Sequence, residues 1–147
     1  LGRTALYAAA LNGRTETVKA LVQLEADVRA QNNAGCTALH LAASYGHTDT
    51  VKALVQLGAD VCEQYEDGQT ALHKAAGSGH TETVRVLVQL GADVRALDKN
   101  GDRALDMATD NKHTETVKAL VQLKAEVRAL GNDGCTALDE AALAQRR

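Results

Sequence analysis

The sequence predicts an all-α solenoid, with short helix–turn–helix units stacked side by side and joined by hairpin loops. Three observations predict it. A glycine recurs every 33 residues, at Gly2, Gly35, Gly68, Gly101 and Gly134, and the phase never slips. Apolar columns follow the same period: Leu6, Leu39, Leu72, Leu105 and Leu138 form one, and Val18, Val51, Val84 and Val117 another. The 147 residues include no Phe, Trp or Pro and only three Tyr, so the apolar content is almost entirely Ala, Leu and Val. That composition suits thin layers of closely spaced helices better than one deep core, which normally holds large aromatics.

The period divides one repeat domain into units 1–33, 34–66, 67–99 and 100–132, with a partial fifth over 133–147. The second unit shows how each is built. Its first helix is expected over about 38–45, with Leu39, Ala42 and Ala43 at helical spacing and Thr37 as N-cap. Gly46 stops that helix where the chain needs a positive φ. Thr48 is expected to cap the second helix, with Asp49 at the positive end of its dipole. Val51, Leu54 and Val55 form the buried stripe, and Gly58 ends the helix. The stretch from Ala59 to Gly68, with its Asp residues and β-branched Val61, reads as an extended hairpin connection. One unit cannot bury its own apolar face, so adjacent units must share their stability.

The whole chain resembles the ankyrin repeat family. The resemblance rests on Gly35, Thr37, Leu39 and His40, on Gly46 and His47, and on Gly58, Ala59, Asp60 and Val61. The third unit repeats it with Gly68, Thr70, Leu72, His73, Gly79, His80, Gly91, Ala92, Asp93 and Val94. Ala38 and Ala71 stand where the family usually has Pro, and Arg29, Cys62, Arg95 and Arg128 where it usually has Asn. The fourth unit is the least regular: Arg103 replaces Thr, Asp106 replaces His, and Lys112 and Lys124 replace turn glycines. A Lys held at positive φ costs on the order of 1 kcal/mol, so this unit is expected to open more easily than the third. The first unit keeps an internal apolar pattern and the fifth stops after one helix, so either a segment of a longer array or a cover over the first unit is expected.

The chemistry-bearing residues fall into the same columns. His40 and His73 form one, and His47, His80 and His113 another. Units about 10 Å apart sit at a packing distance, so these histidines are expected to hydrogen-bond turns and neighbouring loops, with no metal held. Cys36 and Cys135 share a column three units apart, beyond the roughly 4.4–6.8 Å Cα reach of a disulfide, and Cys62 lies at a different hairpin position. Three free thiols and an intracellular setting are therefore expected. Thr15, Thr48, Thr81 and Thr114 read as helix caps rather than as nucleophiles or phosphosites. No nucleophile–base pair, phosphate loop or cofactor motif stands out, so no enzyme and no cofactor are expected. The formal net charge of −3 and the lack of any apolar run near the roughly 20 residues a membrane span needs make nucleic acid and membrane unexpected partners.

The resemblance implies a protein-binding scaffold or adaptor that uses its hairpin tips and the inner face of its first helices, and a monomer is expected. These are also the columns that vary within this one chain. The site residues so implied are Cys36, Glu66, Asp67, Gln69, Lys99 and Asp102 on the tips, and Ser44, Tyr45, Ser78, Asp110 and Asn111 on the inner helices. Over these columns Glu66, Asp67, Asp102, Asp110 and Asp133 stand against Lys99, so the expected partner carries a basic segment, centred on units two and three. Two other readings stay open. One is an engineered or purely structural array without a natural ligand, which the identical string at Thr15–Leu24 and Thr114–Leu123 permits. The other is a regulatory module of a larger enzyme.

Overall fold

A computed structural model describes residues 2–130. The partial fifth unit, with Asp133 and Cys135, lies outside the described residues. Eight helices follow in order: α1 (Gly2–Leu11), α2 (Thr15–Gln23), α3 (Ala38–Ser44), α4 (Thr48–Gln56), α5 (Ala71–Gly77), α6 (Thr81–Gln89), α7 (Ala104–Asp110) and α8 (Thr114–Leu130). They form two layers. The first helices stack as α1–α3–α5–α7 and the second as α2–α4–α6–α8, each pair being also packed on itself.

The repeated columns make the core. Leu6, Leu39 and Leu72, Val18, Val51 and Val84, and Leu54 and Leu87 are all buried. Ala9, Ala10, Ala42, Ala43, Ala75, Ala76 and Ala108 are buried with them, and their small side chains let the inner helices approach closely. Leu105 and Val117 of the fourth unit are only partly buried.

The hairpins between units hold no strand among the described residues. They are turns closed by backbone bonds: the N–H groups of Asn32, Tyr65 and Asp98 donate to the carbonyls of Cys36, Gln69 and Asp102 at 3.0, 2.7 and 2.9 Å. Adjacent tips are tied by the N–H of Glu66 to the carbonyl of Ala34 (2.7 Å) and that of Lys99 to the carbonyl of Asp67 (2.9 Å). The turn chemistry, not an extended ladder, decides the shape. Asp27, Asp60 and Asp93 each accept the backbone N–H two residues on.

Two expectations about helix ends are corrected. Thr48 is the first residue of α4, behind an N-cap, His47, that makes no side-chain cap bond. Its hydroxyl shares a 2.8 Å hydrogen bond with Thr83 of the next unit, as Thr15 does with Thr50 and Thr81 with Thr116. Thr50, Thr83 and Thr116 are each 1% exposed, and a buried hydroxyl without a partner is costly, so the preceding unit's Thr is held there instead of capping its own helix. The second correction is at Lys124. Glu25, Gly58 and Gly91 occupy the equivalent position at φ +74°, +110° and +105°, ending α2, α4 and α6. In the fourth unit Lys124 and Glu126 replace the Gly and the turn-forming Asp together, and α8 runs on to Leu130. No positive-φ strain arises at Lys124, whereas Lys112 does sit at φ +61°.

Candidate functional site

The inner helices begin with a device that also ties them to a hairpin. The hydroxyl of Thr37 accepts the N–H of His40 at 3.4 Å, and Nδ1 of His40 accepts the N–H of Thr37 at 3.2 Å. With Nδ1 accepting, Nε2 carries the proton and donates it to the carbonyl of Glu63 at 3.0 Å. Thr70 and His73 repeat the box, and Nε2 of His73 reaches the carbonyl of Asp102 at 2.9 Å. In the first unit Tyr7 takes the same place, its hydroxyl donating to the carbonyl of Cys36. The second histidine column links units too: His47, His80 and His113 bond the carbonyls of Leu11, Ser44 and Gly77 at 2.8, 3.1 and 3.1 Å. All five histidines thus do structural work between turns and loops. Among the described residues no three His, Cys, Asp or Glu side chains converge as a metal site would need.

Between α3, α5 and the second hairpin tip lies an open groove of about 230 Å³. Three sequence-derived residues line it: Cys36, Ser44 and Tyr45. Tyr45 is 56% exposed, and its ring lies parallel to that of His47 with centroids 6.4 Å apart. Four others line it as well: His40, Leu41, Tyr65 and Lys74. The ammonium of Lys74 sits 4.2 Å above the centroid of Tyr65 and 3.8 Å from Oδ2 of Asp67. The edge of His40 meets the ring of Tyr65 at 5.7 Å.

A family model for ankyrin repeats (three copies) matches residues 1–65 and 57–131. The chain belongs to the ankyrin repeat family. Comparison with curated proteins returns no match. Ankyrin repeats are generally protein–protein interaction modules. In this ankyrin array no helix among the described residues is long and apolar enough to cross a membrane.

The remaining sequence-derived residues spread over three units. Glu66 is exposed on the second tip, Asp67 is half-buried beside Lys74, and the N–H of Gln69 donates to Oδ1 of Asp67 at 2.9 Å. Lys99 and Asp102 belong to the third tip, away from the groove, and Asp102 donates its N–H to Asp98. Ser78, Asp110 and Asn111 are exposed along the inner helices of units three and four. Asn111 is already engaged, donating Nδ2–H to the carbonyl of Gly77 at 2.9 Å.

Cys36 lines the groove with little to offer a partner, being 4% exposed with its thiol turned to the carbonyl of Thr37. Burial raises its pKa; Lys74 and a hydrogen bond with Tyr65 only partly oppose this. Cys62 is disulfide-bonded, so the expectation of three free thiols fails there. The spacing argument compared Cys36 with Cys135 within one column and did not bear on Cys62, which occupies another. One support for an intracellular setting goes with it.

The charge count over the tip and inner-helix columns passed over Lys74, which stands in the column of Ala8, Leu41 and Met107. A charge between the apolar Leu41 and Met107 of the neighbouring units was the available signal. Tyr65 had a signal of the same kind. Asn32 and Asp98, its counterparts, each accept two backbone N–H groups of their own turn. Tyr65 cannot, so it is not there to make the turn.

Proposed function

We propose that this ankyrin array is a scaffold or adaptor that binds a protein segment bearing Lys or Arg, across the second tip and the inner helices of units two and three. The observation that carries the reading is Tyr45: a large ring more than half exposed, at the edge of a groove that Tyr65 and Lys74 also line, with Glu66 and Asp67 following Tyr65 on the second tip. Tyr is favoured at binding hot spots because it supplies wide contact area at low entropic cost. The acidic rim adds steering for a basic partner. The rest of the proposed surface, Ser78, Lys99, Asp102, Asp110 and Asn111, acts as complementary rim.

A non-catalytic role fits the groove's titratable groups. Both ring nitrogens of His40 are hydrogen-bonded, and burial with Lys74 nearby holds its pKa below the usual 6.5. The Cys36 thiol is buried and shifted away from the thiolate. Neither group is free to act as a base or nucleophile.

The test is capture of a partner by cross-linking in cells, purification of that partner, and titration against wild type and a Tyr45→Ala, Glu66→Lys double variant. Loss of about ten-fold or more in affinity is expected, since a central aromatic anchor alone often costs this much. Unchanged affinity would remove the site, and failure to find a saturable partner would favour an array that only supports structure.

A further inference from the structure

We propose that the second hairpin tip is a seat for a partner's arginine guanidinium, and that in the free protein Lys74 occupies this seat as a built-in stand-in. This rests on the protein-binding reading above and names the chemistry of its central contact.

The seat has a floor and a wall. The floor is the ring of Tyr65, which the edge of His40 meets at 5.7 Å. The wall is the carboxylate of Asp67, with Glu66 exposed beside it. A cation is already there: the Lys74 ammonium lies over the ring at 4.2 Å and beside Asp67 at 3.8 Å. An aromatic face and a carboxylate around one ammonium are the elements that recognise a cationic side chain.

Nothing in the fold requires a charge at position 74. Leu41 and Met107 fill the same column in the neighbouring units, and Tyr65 replaces a turn-forming Asn or Asp. The Lys74 ammonium pairs with Asp67 only at 3.8 Å, at the long end of ion-pair contact. A partly exposed ion pair contributes little net stability, and a lysine stem is flexible enough to swing aside. Arginine suits the seat better than lysine, because a planar guanidinium can stack on the ring while pairing with a carboxylate edge. The groove is smaller than the roughly 300–1,000 Å³ of drug-sized ligand pockets, so it fits one side chain rather than a free small molecule.

The test uses the full chain, labelled with ¹⁵N, titrated with N-acetyl-arginine amide, N-acetyl-lysine amide and the neutral isostere N-acetyl-citrulline amide. Wild type is compared with Lys74→Ala, with Lys74→Met, which keeps an apolar stem, and with Lys99→Ala, which removes an equal charge from the neighbouring tip. In the Lys74 variants the arginine probe is expected to bind about three-fold or more tighter than to wild type, the size of one exposed cation–π contact. Saturable shifts should centre on the amides of Tyr65, Glu66 and Asp67, and citrulline should give none. Equal tightening in Lys99→Ala would reduce the effect to bulk charge and overturn the seat. So would unchanged affinity in both Lys74 variants, or citrulline binding like arginine. If the seat fails while Tyr45→Ala still releases a purified partner, the protein-binding reading survives without it.

Discussion

Gly46 and Gly91 are both turn glycines at positive φ, yet they should respond to alanine very differently. At Gly46, φ is +73°, and an added Cβ would lie 2.5 Å from Nδ1, 2.7 Å from Cγ and 2.9 Å from Cε1 of His80. That ring cannot simply rotate away, since its Nε2 is bonded to the carbonyl of Ser44 at 3.1 Å. At Gly91, φ is +105° and no atom lies within 4 Å of the added Cβ. Its backbone is no easier for alanine than that of Gly46, so any excess cost at Gly46 belongs to the contact with the next unit. Strain alone gives Gly91→Ala a cost of about 1–2 kcal/mol. Gly46→Ala adds overpacking of about 1–3 kcal/mol and the loss of one hydrogen bond of about 1 kcal/mol. Its expected total is thus about 3–6 kcal/mol. Urea unfolding followed by circular dichroism measures both, and adding His80→Ala completes a double-mutant cycle. The pair should be coupled by about 1–2 kcal/mol, the double variant being less damaged than the sum of the singles. Equal costs at the two glycines, or strict additivity with His80→Ala, would refute the reasoning. In the sequence both partners change together one junction further on: Lys112 stands in the glycine column at φ +61°, and the histidine column continues beyond His113 with Arg146.

Three more expectations concern stability. Leu54→Ala, at a site with no exposure, should cost about 2–5 kcal/mol by urea unfolding. Leu24→Ala, at 79% exposure, should fall within about 0.5 kcal/mol of wild type, and similar costs would contradict the two-layer core. Acid should weaken the fold in two windows. Burial, with Lys74 adding, depresses His40, so its contribution is full above the ordinary value of 6.5 and is lost as pH falls through the lower folded-state pKa. Burial would raise Asp98, but the N–H groups of Asp102 and Asn100 outweigh it and leave its pKa low, so its contribution is lost only below 3.8. His40→Gln should flatten the fall in urea midpoint between pH 7 and 5; an unaltered slope would mean that His40 does not titrate differently in the two states. Amide exchange should be faster in α7 than in α5, because Leu105 and Val117 are incompletely covered and Arg103 and Asp106 keep only part of the Thr–His box. Equal protection would count against a weaker fourth unit.

The layers and the core could be read from the sequence because each column recurs with one chemical role, and Leu39, Val51 and Leu54 announce that role by spacing alone. The Thr37 cap could be read for the same reason, being local, whereas the return bond from His40 Nδ1 came from the structure. What escaped reading depends on contacts between units or on substitutions acting jointly. The row Thr15, Thr48 and Thr81 looks like capping when one unit is viewed alone, because its real partners, Thr50, Thr83 and Thr116, lie about one period away. Lys124 looked like a strained turn residue, but with Glu126 also unable to form the Asp turn the helix had no reason to stop. Glu25 shows the converse, taking φ +74° where the following Asp27 still closes the turn. Within the candidate site, Tyr45 and Glu66 stood out as variable surface positions. Lys74 and Tyr65 needed the fold to bring an inner helix against a hairpin tip before their chemistry became visible.

The Thr and His links between units have an evolutionary corollary. Each joins one repeat column to another in the adjacent unit, so excising 34–66 would set His80 against the carbonyl of Leu11 and Thr83 against Thr15, reproducing the joints now made by His47 and Thr50. The stack would close over the gap with its bonding grammar intact. Tyr45, Tyr65 and Glu66 would leave with the excised segment. A lineage could therefore gain or lose this recognition surface by unequal recombination in a single step, without rebuilding the scaffold that displays it.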